Sequence, residues 1–180
     1  IEVRTKARSF YTELNTPQPS NLHAYLREMV DQGCKAGVME VASHGLDQQR
    51  VAEVFFTVAV FTNLSPEHLD YHHTMQAYAD AKAKLFSMPM LKHAIINNDD
   101  PYSQQMIQKL HSNCRKITYG LHEGCDVRAI DWQISMVGSQ MEIDSPWGAR
   151  QIKVNLLGKF NVYNSLAVYA SLLAQGMPIA

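Results

Sequence analysis

The stretch from Phe61 to Phe86, FTNLSPEHLDYHHTMQAYADAKAKLF, holds the densest set of side chains that could do chemistry. Apolar residues in its second half follow the spacing of one helical face, and Lys82 lies on that face where the pattern calls for an apolar residue. Lys84 points elsewhere and is interpreted as an ordinary solvated lysine. A polar cluster followed by such a lysine is typical of a functional site, whereas a helix start rich in polar caps with a snorkelling lysine is the structural alternative. The cluster consists of Glu67, His68, Asp70, His72 and His73.

Glu40 is a second candidate, because it lies near the end of an apolar run, Ala36 to Ala42, that predicts a buried strand. Ligand sites of open α/β sheets lie outside the carboxyl ends of their strands. A carboxylate there is a candidate Mg²⁺ ligand, since Mg²⁺ prefers oxygen donors. The alternative is a strand-end side chain that simply reaches solvent. His68 follows the next predicted strand, so we expect Glu40 and His68 to lie close together around a metal-sized gap.

The elements that must position these residues alternate between helices and strands. A helical stripe runs from Ser20 to Gly33, and Val51 to Phe61 contains the strand that follows Glu40. The alternation predicts an α/β fold with a mostly parallel sheet and helices on both faces. The other elements predicted in this part are a helix around Lys82, strands at Ala94–Asn97 and Lys116–Tyr119, and a helix at Ser103–Leu110.

Beyond Gly120 the pattern changes to short alternating segments, which predict a small antiparallel subregion spanning residues 126–157. Asn161–Gln175 predicts a closing helix, and Pro178 marks the start of a linker. Residues 1–15 carry mixed charge and predict an irregular segment. The antiparallel strands are predicted at Val127–Ile134, Gln140–Ile143 and Gln151–Leu156, with a turn at Ser145–Gly148.

The length and composition indicate a globular chain. Its 180 residues suffice for one domain with a hydrophobic core, and we assign all of them, 1–180, to one partial domain. A formal net charge of -1 gives no electrostatic signal for nucleic acid or an anionic membrane, so we expect neither as a partner. No apolar run approaches the roughly 18 residues of a membrane span. The three cysteines show no metal-site spacing and fit a reducing cytoplasm.

Three motifs of the Phe61–Phe86 stretch resemble the Mur ligases, the ATP-dependent amide-bond-forming enzymes of peptidoglycan synthesis. They are Thr62-Asn63-Leu64, the HLDYH of residues 68–72, and the pattern YxxAKxxLF of residues 78–86, in the family's order. The similarity extends along nearly the whole chain and looks closest to members that add the third peptide residue, diaminopimelate or lysine, to UDP-N-acetylmuramoyl-L-alanyl-D-glutamate. It implies the family's central-domain fold, a reaction through an acyl phosphate, ATP and Mg²⁺ as cofactors, the UDP-MurNAc-dipeptide as substrate, and a monomeric cytoplasmic enzyme.

The resemblance also implies roles for individual residues. It places Glu40 and His68 at the family's metal-binding positions and makes Lys82 a carbamylated lysine whose carbamate is a further ligand. The apolar stripe fits this, since burial lowers the pKa of an amine and only a neutral amine can add CO₂. Asn15 and Ala42 depart from the family pattern, and each loses a hydroxyl that faces the substrate. The implied substrate-binding residues are Asn15, Thr16, Ala42, Gln48 and Arg50, and the implied ATP-binding residues are Asn97, Asp99, Asn161 and Asn164.

The family's glycine-rich phosphate loop has no counterpart in the sequence, which contains neither Gly-Lys-Thr nor Gly-Lys-Ser. Since the family places that loop and its strand before residue 1 and a further domain after residue 180, we expect the chain to be a fragment that is inactive by itself. The alternatives are another Mur ligase, a folylpolyglutamate synthase-like ligase, and a non-catalytic nucleotide- or sugar-binding module. A further alternative is a metal hydrolase built on Glu40, His68, Asp70 and His72.

Overall fold

The computed structural model describes residues 2–177, so the prediction of a linker at Pro178 lies outside the described residues. No helix of this part of the chain is long and apolar enough to cross a membrane. The strands are β1 (Glu2–Arg4), β2 (Ser9–Tyr11), β3 (Val58–Phe61), β4 (His93–Asn97), β5 (Arg115–Gly120), β6 (Val127–Ser135), β7 (Gly138–Asp144) and β8 (Arg150–Val154). The helices are α1 (Pro19–Asp31), α2 (Ser43–Asp47), α3 (Leu69–His72), α4 (Met75–Ala83), α5 (Ser103–Ile107) and α6 (Lys159–Ala174), with a 3₁₀ turn at Lys84–Ser87 after α4.

Six strands form one sheet in the order β3-β4-β5-β6-β7-β8. The pairs from β3 to β6 are parallel and the pairs from β6 to β8 are antiparallel, which confirms the predicted mostly parallel sheet. The antiparallel strands extend this sheet, because the first residues of β6, Val127 and Arg128, pair with Tyr119 and Gly120 of β5. The rest of β6 pairs with β7 across a register shift after Ala129.

Helices cover both faces of the sheet, as predicted. Along β4, Ala94 and Ile96 point to one face and Ile95 to the other, since successive strand side chains alternate. The first face packs with α4 and α5, and Phe86 and Met106 are buried there. The second face packs on α6. The predicted helix at residues 161–175 is therefore the cover of one whole side of the sheet.

The predicted buried strand at Ala36–Ala42 is wrong. The segment has no regular secondary structure and pairs with no described strand, and Val38 is 98% exposed. An apolar run becomes a strand only where a neighbouring strand supplies hydrogen-bond partners. The strand predicted within Val51–Phe61, the segment FFTVAVF of residues 55–61, is also shorter than expected, because it begins only at Val58, where pairing with His93 starts.

The N-terminal residues were predicted to be irregular, which is wrong for residues 2–11 and correct for residues 12–15. β1 and β2 form a small antiparallel hairpin in which Val3 lies opposite Phe10. The Phe10 ring meets the Tyr25 ring of α1 edge-on at 5.0 Å, and the Arg8 guanidinium lies 4.5 Å from the Phe10 ring centre. The Phe10–Tyr25 contact with α1 stabilises a hairpin too short for its own sequence to predict.

Candidate functional site

A cleft of about 360 Å³ gathers most of the residues that the sequence singled out. Its walls come from the loop before α1, the extended run before α2, the turn after α2, the segment before α3, and α4. All three predicted metal ligands and four of the five predicted substrate contacts belong to it. The lining residues are Glu13, Leu14, Asn15, Thr16, Glu40, Ala42, Ser43, His44, Arg50, Glu67, His68, Tyr78 and Lys82.

Thr16 fixes Glu40 in the cleft. Its side chain is fully buried, its Oγ1 donates to the Glu40 carbonyl at 3.3 Å, and the same oxygen accepts from the Ala42 N–H at 2.8 Å. Thr16 therefore satisfies backbone groups of a segment that pairs with no described strand. Gly45 of α2 lies so close that an added Cβ would be 2.8 Å from the Thr16 Cβ.

Asn15 lacks the hydroxyl of the expected threonine, but its amide makes a hydrogen bond of its own. Its Nδ2 donates to Glu40 Oε1 at 3.0 Å, which holds the carboxylate in one orientation. The amide replaces the threonine expected at this position, and it acts on the predicted metal ligand. Sequence reasoning missed this contact because the two residues lie far apart in the chain.

His68 reaches the cleft through an uncommon backbone conformation. It precedes α3 in the left-handed region, with φ 57° and ψ 24°, which costs a non-glycine residue about 1–2 kcal/mol. Its ring lies 4.9 Å from the His44 ring and 5.9 Å from the Tyr78 ring, edge-on to both. The strain is compensated by these ring contacts at the junction of α2, α3 and α4.

Lys82 is half-buried on α4, with Nζ 5.3 Å from the centre of the Tyr78 ring. Burial lowers the pKa of its amine, while the negative charges of Glu40, Glu67 and Asp100 act in the opposite direction. The sequence prediction of partial burial is therefore confirmed. Tyr78 stands four residues before Lys82, a spacing that places both on one helical face.

Several aromatic rings pack together beside the cleft, around Tyr78 and His44. The buried His72 ring stacks on Tyr78 at 5.1 Å, and its Nε2 is 2.9 Å from the buried Ser43 Oγ. Burial lowers the pKa of both His44 and His72. Repulsion by His68 lowers the pKa of His44 further, and repulsion by His44 and His68 lowers that of His72 further. His72 serves the fold, and neither it nor Asp70 lines the cleft, which disfavours the hydrolase alternative.

Arg50 is held at the edge of the cleft by the residues around it. Its Nη1 donates to the Thr16 carbonyl at 3.1 Å, and its Nε and Nη2 donate to Gln48 Oε1 at 3.0 Å and 2.5 Å. Gln48 does not line the cleft itself. Its side chain contacts Arg50 and the Tyr71 hydroxyl.

The predicted ATP-binding residues lie outside this cleft. Asn97 donates to the Thr62 carbonyl at 2.7 Å and accepts from the Asp99 N–H, so its amide connects the ends of β3 and β4. The Asp99 carboxylate, 7% exposed, accepts from the Leu121 N–H and from Tyr163. Burial opposes its ionisation, but these hydrogen bonds and His122 lower the pKa of Asp99 below its ordinary value.

Asn161 and Asn164 lie in the first turns of α6. Asn161 donates to the Leu157 carbonyl at 2.8 Å and accepts from Asn164 at 3.2 Å. Tyr163, between them, donates to Asp99 at 2.9 Å and thereby ties the start of α6 to the end of β4. The four predicted nucleotide contacts thus belong to two neighbouring segments at the carboxyl edge of the sheet.

The side chains of the cleft suit Mg²⁺ only if Lys82 is not a positively charged ammonium. Among residues 2–177 no group of three or more His, Cys, Asp or Glu side chains is arranged as a metal site. Glu40 and Glu67 supply carboxylates and His68 an imidazole, but an ammonium at Lys82 would repel the cation. A carbamate at Lys82 would replace that charge with anionic oxygens.

Comparison with known proteins agrees with the geometry. Residues 2–172 match the model of the Mur ligase middle domain. The chain is 42% identical over 171 residues to the UDP-N-acetylmuramoyl-L-alanyl-D-glutamate--2,6-diaminopimelate ligase of Neisseria meningitidis serogroup A, covering 93% of this chain and 35% of that protein. It is 44% identical over 165 residues to the ligase of the same name from Synechococcus elongatus, covering 91% and 33%.

A solved structure of a ligase with this name superposes with a TM-score of 0.87 at 31% identity, over 98% of this chain and 38% of that one. The chain thus spans about a third of the length of the curated relatives that it matches. The family match covers nearly all described residues, including every segment that lines the cleft. The chain therefore belongs to the Mur ligase family and corresponds to its middle domain.

Proposed function

We propose that the chain is the central domain of an ATP-dependent ligase that adds the third peptide residue to UDP-N-acetylmuramoyl-L-alanyl-D-glutamate. The observation that supports this proposal most directly is the cleft, which Glu40, His68 and Lys82 line together with Asn15 and Arg50. The relatives that match at 42–44% identity are named as ligases for 2,6-diaminopimelate, which favours that amino acid. A monomeric, cytoplasmic enzyme is part of the same proposal.

Arg50 is the proposed anchor for a carboxylate or phosphate of the substrate. A guanidinium carries five N–H groups and no acceptor, and it matches carboxylate and phosphate oxygens in pairs. Three of the Arg50 nitrogens already donate to Gln48 and Thr16, which fixes the plane of the group before a ligand arrives. Such preorganisation reduces the entropy lost on binding.

Glu40, His68 and a carbamylated Lys82 are the proposed holders of Mg²⁺. When bound, the ion would neutralise charge on transferring phosphoryl oxygens. Asn15 keeps the Glu40 carboxylate oriented, and the Tyr78 ring shields the Lys82 amine from water. The Lys82 ammonium first loses a proton; its neutral amine nitrogen then bonds to the carbon of CO₂ and releases a second proton, so the side chain changes from positive to negative over the two steps.

The experiment is a calorimetric titration of the chain with UDP-MurNAc-L-alanyl-D-glutamate. We expect binding by the wild-type chain and a loss of at least about tenfold in affinity for Arg50→Ala, because charge-assisted hydrogen bonds are removed. Arg27→Ala is the matched control, since Arg27 pairs with Asp31 on the outer face of α1. Absence of binding by the wild-type chain, or equal losses in both variants, would contradict the proposal.

A further inference from the structure

A continuous chain of hydrogen bonds, here called the Asp47 chain, leads from Lys84 through Asp47, Tyr71 and Gln48 to Arg50. Lys84 Nζ lies 2.6 Å from Asp47 Oδ1, and the Tyr71 hydroxyl donates to Asp47 Oδ2 at 2.9 Å. Gln48 Nε2 donates to the Tyr71 oxygen at 3.3 Å, and Arg50 donates twice to Gln48 Oε1. Lys84, interpreted from the sequence as simply solvated, is thus the far end of a network that reaches the cleft.

The direction of every bond in the Asp47 chain follows from the chemistry of its ends. An ionised carboxylate only accepts, and the hydrogen bonds from Lys84 and Tyr71 lower the pKa of Asp47, which keeps it ionised at neutral pH. Tyr71 must therefore donate its single proton to Asp47. The Tyr71 oxygen can then only accept a hydrogen bond, so it pairs with the NH₂ group of the Gln48 carboxamide and not with its carbonyl oxygen.

This selection turns the carbonyl end of Gln48 toward Arg50. A guanidinium only donates, so a flipped amide would bring NH₂ against N–H groups and lose both bonds to Arg50. With the observed orientation, three of the five Arg50 N–H groups are used by Gln48 and Thr16. One N–H remains on each terminal nitrogen, the pair that can hold a carboxylate or phosphate with two bonds.

Packing keeps the Tyr71 hydroxyl in place. Tyr71 is half-buried, and its ring centre lies 4.2 Å from that of His44 and 4.8 Å from that of His72. The ring is thus fixed between α2 and α3 while its hydroxyl spans to Asp47. Gln48 itself is exposed, so packing alone does not determine the orientation of its amide.

We propose that Tyr71 is a positioning residue. It orients the Gln48 amide, and Gln48 in turn orients the Arg50 guanidinium toward an anionic group of the substrate. This rests on the proposed function, in which Arg50 binds that group. The competing explanation is a surface network that contributes little beyond its own weak bonds. The two explanations differ in whether Tyr71 influences substrate binding through the orientation of the Gln48 amide.

The test uses Tyr71→Phe, which removes the hydroxyl and retains the stacked ring. We expect UDP-MurNAc-L-alanyl-D-glutamate to bind about five- to tenfold more weakly, the scale of one or two hydrogen bonds, with little change in melting temperature. Tyr102→Phe is the control, because Tyr102 is another half-buried tyrosine and does not line the cleft. A loss that is equal in both variants overturns the proposal.

A double-mutant cycle with Gln48→Met separates the two explanations. If Tyr71 acts through Gln48, Tyr71→Phe has no further effect in the Gln48→Met background, whereas additive losses overturn the proposal. Exchange of the Arg50 Nε–H with solvent, measured by NMR without ligand, gives a readout that does not depend on the substrate. Faster exchange in Tyr71→Phe than in wild type supports the proposal even if no substrate binds, an outcome that would defeat only the proposed function. Unchanged exchange overturns it.

Discussion

Lys82 and Lys84 stand two positions apart and have different chemistry because of their surroundings. Lys82 is half-buried over the Tyr78 ring, and burial lowers the pKa of its amine. Lys84 is exposed and paired with Asp47 at 2.6 Å. For a single residue, burial therefore makes the amine of Lys82 easier to deprotonate.

We predict that Lys82, and not Lys84, takes up CO₂ as a carbamate. In ¹³C-bicarbonate, the wild-type chain and Lys84→Ala should show a carbamate resonance by NMR, and Lys82→Ala should lack it, because only Lys82 has its amine desolvated. The Lys84→Ala chain is the matched control for general lysine chemistry. A resonance that persists in Lys82→Ala, or one that is missing from all three chains, would exclude the carbamate.

At the scale of elements, the cleft depends on a segment without regular structure. The run that carries Glu40 pairs with no described strand, and Thr16 bonds both the Glu40 carbonyl and the Ala42 N–H in place of such a partner. The side chain is fully buried and packs against Gly45 of α2. One threonine hydroxyl therefore connects the loop before α1 to the predicted metal ligand.

Thr16→Val should destabilise the chain by about 1–3 kcal/mol, because the variant keeps the shape of the side chain and leaves the Ala42 N–H without its acceptor. The free energy of unfolding in urea gives the measurement. Thr16→Ser retains the hydroxyl and should cost less, about 1 kcal/mol for a lost buried methyl group. If Thr16→Val proves no worse than Thr16→Ser, the hydroxyl does not hold the segment.

At the scale of the whole molecule, buried histidines couple the fold to pH. Burial lowers the pKa of His44 and His72 near the cleft and of His93 at the start of β4. Their ordinary value is 6.5, so the unfolded chain binds protons at a higher pH than the folded chain does. This contribution to the free energy of unfolding is complete above pH 6.5. It is lost as the pH falls from 6.5 toward the lowered pKa values of the folded chain.

We expect the free energy of unfolding to decrease between about pH 7.5 and about pH 5.5, in the direction set by this linkage. His72→Phe should reduce the decrease, since phenylalanine can keep the stack on Tyr78 and cannot take a proton. Urea titrations at each pH, on both chains, measure the two slopes. Identical slopes for the two chains would show that His72 does not contribute.

Much of the fold follows from local sequence. Alternating and helical periodicities predicted β4 to β8 and α6 within a few residues, because each of these elements pairs or packs along its full length. The same local signal failed for residues 36–42, where the required partner strand is not among the described ones, and for the β1–β2 hairpin, which depends on α1.

The order of the amino acids was enough to identify the chemical groups present and, through the motif resemblance, the family. Their contacts became visible only in the folded chain, where hydrogen bonds join Asn15 to Glu40, Gln48 to Tyr71, and Tyr163 to Asp99. These pairs are separated by 25, 23 and 64 positions. Periodicity reports which face of an element a residue occupies, whereas a hydrogen bond between distant segments depends on how the elements pack, and no local pattern carries that information.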